Sequence, residues 1–446
     1  MISEEQLENT LEWLLWALHD DVAALPIEAG DLTVDDWAFV LEAIPSDDRY
    51  RLWEMLPDTD KGAILAAMRD DARNQLLGRI DQPEIVSIAR NSTPEQVVEI
   101  LDAVSEGVAQ RIIRRLSPED QDSITSAMAY DEEQLGRYLV REAYVVSGTA
   151  TVGNLLVELK TQELPPYTDS FLVTDAAGRY LGQVDLNMLL GSPRGARLRD
   201  IADSLDEVLT TDMPLLEASN RVKNSGRSML PVLDSGGQLL GRFSLRDALD
   251  VFQEHFEAQI MHLGQVADED LFAPIAVSAG RRAIWLGINL LTAFMASAVI
   301  GIFEDVVAQV VALAVLMPIV ASMGGITGSQ TLTLTIRGLA TGRLAPSNLG
   351  ALGSKELSVA LLNGLLWGAV VAVCAGLWFG NPQLSYIIAG SLLVNMLVAS
   401  GAGIAIPVLL ERNGIDPALA GSVILTTVTD VVGFMVFLGS AAVLLV

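Results

Sequence analysis

The residue of this 446-residue chain whose type and position most directly suggest chemistry is Asp430, a carboxylate inside a long apolar stretch. An acid at the middle of a membrane span costs roughly 2.5–3.5 kcal/mol on insertion scales, so it usually serves an ion pathway or a partner. Thr426 and Thr427 precede it by four and three residues and share its helix face. The alternative is a carboxylate satisfied by neighbouring hydroxyl groups in a packed bundle. Because no Lys or Arg is embedded in the apolar stretches to neutralise Asp430, the pattern favours a cation pathway.

A second candidate is the stretch from Pro318 to Thr331, which is rich in glycine and in oxygen-bearing side chains. We expect the helix to bend or break here, which is tolerated at membrane depth where the backbone is buried or lines a watery cavity. Freed carbonyl groups, with Thr and Gln side chains, would then be hard oxygen ligands. Helix–helix packing is an equally good interpretation, because small residues also permit close approach. The candidate pore-lining residues of this stretch are Pro318, Gly324, Gly325, Ile326, Thr327, Gly328 and Gln330.

A third candidate is a run of four acids, Asp247, Asp250, Glu254 and Glu257, spaced three, four and three residues apart. On a predicted helix from about Ser244 to Gln265, these spacings place them within an arc of roughly 80°. Carboxylates on one stripe repel each other unless cations lie among them. A solvated acidic face is the ordinary alternative. Because this helix leads towards a membrane segment, we expect it to bind regulatory cations.

The charge distribution divides the chain in two. The sequence has 56 acidic and 28 basic residues, a formal net charge of −28, and six residues of each sign follow Asp270. The whole excess of negative charge therefore lies on the first 270 residues, and nearly all of the long apolar stretches follow them. This division excludes a single soluble globule. It also argues against nucleic-acid binding, because phosphates would be repelled.

Five apolar stretches are long enough to cross a bilayer, which takes roughly 20 residues each. They run approximately over 282–303, 306–335, 357–379, 384–410 and 419–446. The basic residues near these spans all fall on one side, which the positive-inside bias assigns to the cytoplasm. We therefore expect a multi-pass protein of the cytoplasmic (inner) membrane, with its N-terminal domains in the cytoplasm and its C-terminus outside.

The sequence before the membrane part predicts two folded regions. Residues 1–140 repeat helix start signals, such as Thr93-Pro94-Glu95-Gln96, and predict an all-α superhelical domain. Residues 141–250 contain two strand–turn–strand patterns about sixty residues apart, each followed by a helix, which predict an α/β tandem repeat. The acidic helix occupies 245–270 and connects this repeat to an α-helical membrane domain over 271–446.

In this order of segments, the chain closely resembles the MgtE family of magnesium channels over essentially its whole length. The most specific matches are Pro318 to Gln330 with Thr335 to Thr341, and Asp416-Pro417-Ala418 leading to Asp430. The resemblance implies tandem cystathionine-β-synthase-type (CBS) domains over 141–250, a connecting "plug" helix and a five-helix pore domain. It also implies a homodimer whose pore is lined by the second and fifth spans, with Asp430 of both subunits facing a hydrated cation.

The resemblance further implies gating by intracellular Mg²⁺. Ions that bridge acids of the N-terminal domain, the CBS domains and the plug helix would hold the pore shut. By position, the regulatory ligands carried over from the family are Asp247, Asp250, Glu254, Glu257 and Asp416. Some members of the family bind ATP in their CBS domains. Here Ser244 and Asp247 resemble the hydroxyl-x-x-Asp element that holds a nucleotide ribose, while the first CBS copy lacks the corresponding acid.

The sequence departs from the family pattern at one position. The pore stretch of the family usually reads Gly-Gly-Asn, whereas here Gly324-Gly325 is followed by Ile326. Loss of an amide carbonyl beside the ion leaves two alternatives open: a transporter of Mn²⁺ or Co²⁺ rather than Mg²⁺, and a non-conducting, membrane-anchored sensor of divalent cations or nucleotides. An enzyme is disfavoured, because the sequence offers no nucleophile–base set, phosphate-cradling loop or paired His ligands.

Overall fold

The computed structural model describes residues 4–19, 32–141, 143–161, 168–204, 207–266 and 269–445. Two compact units make up the chain. The first unit extends to Glu257 and includes Glu269–Pro274. The second unit contains Ala258–Asp268 and everything from Ile275 onward.

The N-terminal region is built from short helices, and the all-α prediction is confirmed. They are α1 Glu4–His19, α2 Val34–Glu42, α3 Ser46–Met55, α4 Lys61–Ala67, α5 Asp70–Leu77, α6 Gln82–Arg90, α7 Pro94–Asp102, α8 Glu106–Ile113 and α9 Pro118–Ala127. Thr93 and Gln96 form the predicted capping box of α7, and the Ser117 hydroxyl accepts a hydrogen bond from the Asp120 amide of α9. These helices enclose one apolar core, in which Trp53 is fully buried.

Two copies of one α/β unit follow, so the predicted tandem repeat is confirmed. The first contains β1 Val145–Ser147, α10 Val152–Glu158, β2 Ser170–Thr174, β3 Tyr180–Asp185 and α11 Leu186–Gly191. After α12 Leu198–Ile201, the second contains β4 Leu209–Thr210, α13 Leu215–Ser225, β5 Met229–Leu233 and β6 Leu239–Ser244. In both copies the first strand pairs in parallel with the second, which pairs antiparallel with the third. Gly178 and Gly237 take equivalent turn positions at positive φ, where a side chain would be strained.

A single long helix, α14 Leu245–Leu263, continues from the second copy and contains the predicted acidic stripe. Five helices of the described chain beyond it are long and apolar enough to cross a membrane, as predicted. They are α15 Ile275–Ile302, α17 Ala312–Ala340, α18 Leu349–Phe379, α19 Pro382–Arg412 and α20 Pro417–Leu444, with the short α16 Glu304–Gln309 between the first two. Helix α19 packs against α17, α18 and α20, and α15 packs against α20.

The sequence predicted that the second span bends or breaks, and the break is wrong. Helix α17 continues through Pro318, Gly324, Gly325 and Gly328, so no run of backbone carbonyls is freed for a cation. Two of these glycines are required by packing. A Cβ atom added at Gly324 would lie 2.2 Å from Nδ2 of Asn395 on α19, and one added at Gly328 would lie 2.8 Å from Leu425 on α20. Small residues at these two positions let the three helices approach closely.

Candidate ion pathway and regulatory acids

Asp430 lies at the midpoint of the 28-residue helix α20, with its side chain partly exposed. Thr426 lies one turn before it and is exposed, and Thr427 is partly exposed. The structure therefore places the carboxylate and two hydroxyl-bearing side chains along one accessible stripe of α20, as their spacing predicted.

The two threonine hydroxyl groups do not satisfy the carboxylate. Thr426 Oγ1 donates to the Ser422 carbonyl at 2.9 Å, and Thr427 Oγ1 donates to the Val423 carbonyl at 2.8 Å. Both hydroxyl protons are thus used within the helix, so only oxygen lone pairs remain for a neighbour. Within the described ranges, no residue donates a hydrogen bond to Asp430 or forms an ion pair with it. The hydroxyl-satisfied alternative therefore finds no support among the described residues.

The candidate pore-lining residues of α17 divide between two faces of that helix. Those that are exposed or border open space are Pro318, Gly325, Ile326 and Gln330. Gly324 and Gly328 instead are buried against α19 and α20, so in the single chain they belong to a helix interface. Thr327 is partly exposed, and its hydroxyl donates to the Met323 carbonyl at 2.7 Å. The exposed face of α17 is the part that remains a candidate for the pore wall.

An asparagine fixes the spacing of the helices beside Asp430. Asn395 of α19 is fully buried, and its Nδ2 donates to the Val320 carbonyl of α17 at 3.0 Å. A Cβ atom added at Gly433, three residues after Asp430, would lie 2.6 Å from the same nitrogen. The amide of Asn395 thus occupies space that a glycine on each neighbouring helix leaves free.

The acids on α14 have unequal surroundings. Asp247 accepts hydrogen bonds from the amide and hydroxyl of Ser244, at 2.8 and 2.7 Å, and so caps the start of the helix. Glu257 forms an ion pair with Arg69 of the N-terminal region. Because Ser244 and Asp247 already bond to each other, a nucleotide would have to replace a helix cap, and the ATP site stays a prediction.

Glu254 is the most perturbed carboxyl of the stripe. Partial burial, followed by repulsion from Glu99, Asp70 and Asp250, raises the pKa of Glu254 to about 7. Burial likewise raises the pKa of Glu99, although that acid lies 2.8 Å from the guanidinium of Arg73. Basic residues therefore do not fully neutralise the carboxylates around this part of α14. Such a cluster is stabilised either by protons or by cations.

These acids do not form a closed ligand cage. Across the ranges that the structure describes, no group of three or more Asp, Glu, His or Cys side chains is arranged to hold a metal ion. Mg²⁺ does not require one, because it retains several waters and commonly binds through one or two carboxylates. The absence of such a group therefore leaves a water-bridged ion at these acids as a prediction.

Asp416, the last predicted regulatory acid, begins the fifth span. Its Oδ1 accepts a hydrogen bond from the Ala418 amide at 2.8 Å, which caps α20. Its Oδ2 lies 2.6 Å from Nδ1 of His262, near the end of α14. Sequence reasoning missed His262 because a single histidine outside a cluster carries no signal of its own. It also missed Asp70 and Glu99, whose approach to Glu254 depends on contacts between residues far apart in the chain.

Three segments of the chain match protein-family models. Residues 317–440 match MgtE, described as a divalent cation transporter, and residues 32–133 match the MgtE intracellular N domain. Residues 199–254 match the CBS domain. Asp430, Glu99 and Glu254 each lie in one of these matched segments.

Two curated relatives match along nearly their whole length. The chain is 29% identical to the magnesium transporter MgtE of Thermus thermophilus, over 99% of each chain. It is 22% identical to the magnesium transporter MgtE of Bacillus subtilis, over 91% of this chain and 90% of that one. A crystal structure of the soluble part of a magnesium transporter is 17% identical with a TM-score of 0.48, and the match covers 56% of this chain and 99% of that chain.

Proposed function

This chain belongs to the MgtE family of divalent cation transporters, which are not enzymes, and we propose that it is a magnesium channel that intracellular Mg²⁺ closes. The ion pathway is proposed from the position of one carboxylate. Asp430 lies unpaired among the described residues, partly exposed, at the midpoint of a helix that can cross a membrane. An acid in that position is best explained by a cation that passes it.

The proposed path runs between two copies of the chain. The exposed face of α17, including Gly325 and Ile326, and the Thr426–Asp430 stripe of α20 line it. A second copy would cover these faces, and Ile326 is 55% exposed in the single chain. The two Asp430 carboxylates would face one hydrated Mg²⁺, which keeps its water shell because the ion dehydrates reluctantly.

Gating is proposed to act through the acids near α14. Mg²⁺ among Asp250, Glu254, Glu99 and Asp70 would relieve the repulsion that raises the pKa of Glu254 and would hold α14 in its closed position. When intracellular Mg²⁺ falls, these carboxylates repel and the helix is released. Asp247, Glu257 and Asp416 are further proposed ligands, which would exchange their present partners for the ion.

The orientation in the membrane follows from charge. Basic residues flank the inner ends of the spans, including Arg281, Arg337 and Arg412, which favours a cytoplasmic location for the acidic N-terminal domains. The regulatory acids then sense cytoplasmic Mg²⁺, and the channel lies in the cytoplasmic membrane with its C-terminus outside. A nucleotide such as ATP at Ser244 and Asp247 would modulate that sensing.

Flux through reconstituted protein tests the proposal. Wild-type protein in liposomes should pass Mg²⁺, and Asp430→Ala should abolish the flux. Asp305→Ala, which removes an exposed acid of α16, serves as the matched control and should conduct normally. Unchanged flux in Asp430→Ala would contradict the pore assignment. Tight Mg²⁺ binding without any flux in the wild type would identify a sensor, and preferential passage of Mn²⁺ or Co²⁺ would identify a different cargo.

A further inference from the structure

Helix α14 ends in a turn whose left-handed residue is Gln265 instead of a glycine. The Val266 amide donates to the Met261 carbonyl at 3.0 Å, and the Gln265 amide donates to the His262 carbonyl at 2.9 Å, which together form a Schellman motif. Gln265 has a φ of 58° and is the one non-glycine residue at positive φ among those described. Gly264 lies directly before it, yet the helix continues past that glycine. The left-handed position is therefore occupied by a residue with a side chain, although the glycine next to it would adopt that conformation without strain.

The side chain of Gln265 bonds to two membrane helices at once. Its Nε2 donates to Oγ of Ser422 on α20 at 2.9 Å. Its Oε1 accepts a hydrogen bond from Nδ2 of Asn289 on α15 at 2.6 Å. Unfavourable backbone conformations persist where the surroundings over-determine them, and they concentrate at functional and switching sites. Here the two hydrogen bonds supply that constraint.

Ser422 belongs to the same side of α20 as the proposed ion site. Ser422, Thr426 and Asp430 follow at intervals of four residues, so they lie on one broad helix face. Eight residues of α-helix span about 12 Å along the axis. The carboxamide of Gln265 therefore contacts the ion-facing side of α20 about 12 Å before the carboxylate.

We infer that Gln265 is the latch of the gate: its carboxamide fastens the end of α14 to α15 and α20 in the closed channel and releases them on opening. This inference rests on the proposed function, because only a conducting protein needs a gate. Gln265, Ser422 and Asn289 are uncharged, so the latch does not sense Mg²⁺ itself. It is a positioning device that passes the state of α14 to the pore helices.

Substitution of Gln265 by glycine distinguishes the contribution of its side chain to closure from that of its backbone conformation. Gln265→Gly removes the carboxamide but suits the left-handed turn, so the helix end is preserved. In liposomes, the Mg²⁺ concentration for half-closure should rise by about fivefold or more, as expected for losing a neutral hydrogen bond of the closed state. The flux without Mg²⁺ on the N-terminal side should not change. Ser422→Ala should shift closure in the same direction.

Two controls refine the comparison. Gln265→Asn keeps a carboxamide on a side chain one methylene shorter and tolerates the left-handed conformation. Its Mg²⁺ concentration for half-closure should therefore lie between those of the wild type and Gln265→Gly. Gln110→Ala removes an exposed amide of α8, one that donates to Glu106 on the same helix at 3.4 Å, and should need the same Mg²⁺ concentration for half-closure as the wild type.

A reversible cross-link tests the latch without relying on loss of a bond. Cys374 is the only cysteine, so Cys374→Ser gives a background free of thiols. In that background, Gln265→Cys with Ser422→Cys, bridged by a short bis-methanethiosulfonate reagent, should block Mg²⁺ flux, and a reductant should restore it. The latch would be overturned if Gln265→Gly half-closed at the same Mg²⁺ concentration as the wild type, or if the bridged protein gave full flux. Either result would leave the channel assignment standing. Absence of Mg²⁺ flux in the wild type would overturn both.

Discussion

The guanidinium Nη1 of Arg49 lies 2.8 Å from Oδ2 of Asp270, and these two side chains are only 1% and 3% exposed. Arg49 also donates through Nε to the Leu41 carbonyl at 2.7 Å, and the Asp270 amide donates to the Asp71 carboxylate at 2.7 Å. These contacts fasten Glu269–Pro274, the segment immediately before α15, to the helices of the N-terminal region. A buried ion pair therefore joins Glu269–Pro274 to the helices of the first unit.

Breaking this buried pair should destabilise the first unit strongly. Arg49→Met leaves Asp270 buried without its partner, and removal of one member of such a pair typically costs about 3–5 kcal/mol. Hydrogen exchange of the full-length protein should show the protection of α2–α5 falling by a corresponding amount. Arg51→Met, on the same helix but in an exposed contact of 3.9 Å with Asp48, should change stability by about 1 kcal/mol or less. Equal protection in the two variants would contradict the structural role of the pair.

The raised pKa of Glu254 predicts a pH dependence with a definite sign. Below its ordinary value of 4.5, the carboxyl is protonated in folded and unfolded chains alike. As the pH rises towards and through about 7, the folded chain is forced to ionise Glu254 against its neighbours. The Mg²⁺-free melting temperature should therefore fall between pH 5 and pH 8, and Mg²⁺ should raise it more at pH 8 than at pH 5.

Glu254→Gln should weaken both effects, because it removes the group that must ionise. It should not abolish them, since the pKa values of Glu42, Glu99 and Asp250 are raised as well. Glu119→Gln, at the exposed start of α9, is the matched control and should melt as the wild type does at each pH. A Mg²⁺ response independent of pH in the wild type would argue against cation binding beside Glu254.

Ile326 should set the discrimination between divalent cations. A side-chain amide at this exposed position would accept a hydrogen bond from the water shell of a passing ion, or donate one to it. One such bond is worth about 1 kcal/mol, which corresponds to roughly a fivefold change in the flux ratio. Ile326→Asn should raise the ratio of Mg²⁺ to Ca²⁺ flux by that order, whereas Ile326→Leu should leave the ratio unchanged. Parallel flux assays with Mg²⁺, Mn²⁺, Co²⁺ and Ca²⁺ measure this. Identical ratios in the two variants would place selectivity elsewhere.

Substitution of the glycines that pack against Asn395 should destabilise the protein. Gly324→Ala and Gly433→Ala would bring a methyl group to 2.2 and 2.6 Å from Asn395 Nδ2, so each should destabilise the membrane part by about 1–3 kcal/mol through overpacking. Gly325→Ala, one residue away and facing open space, should be tolerated and should favour the helix slightly. Thermal stability of the detergent-solubilised protein separates these cases. Tolerance of Gly324→Ala would show that α17 and α19 can move apart.

The architecture could be read from the sequence because it rests on local signals. Apolar length predicted the five spans, and the repeated turn around Gly178 and Gly237 predicted the tandem α/β copies. The spacing of Thr426, Thr427 and Asp430 was enough to place them on one stripe of α20, because helix periodicity fixes that relation.

What the sequence could not supply depends on partners distant in the chain. Pro318 and the glycines predicted a bent or broken helix, but α17 is continuous, and packing against Asn395 and Leu425 explains Gly324 and Gly328. The left-handed turn was equally hidden, because Gly264 is the residue that local propensity would place there. The most informative positions of the structure are therefore those where tertiary contacts override local preference.

Closure of the channel by Mg²⁺ is tested most directly by Mg²⁺ current through excised membrane patches while the Mg²⁺ concentration is varied on the face bearing the N-terminal domains. A channel that Mg²⁺ closes should carry current when that face is free of Mg²⁺, and the current should fall as Mg²⁺ on that face is raised. Asp430→Ala should carry no current at any concentration. Current that is independent of Mg²⁺ on that face would contradict gating by Mg²⁺, and current that persists in Asp430→Ala would contradict the ion pathway.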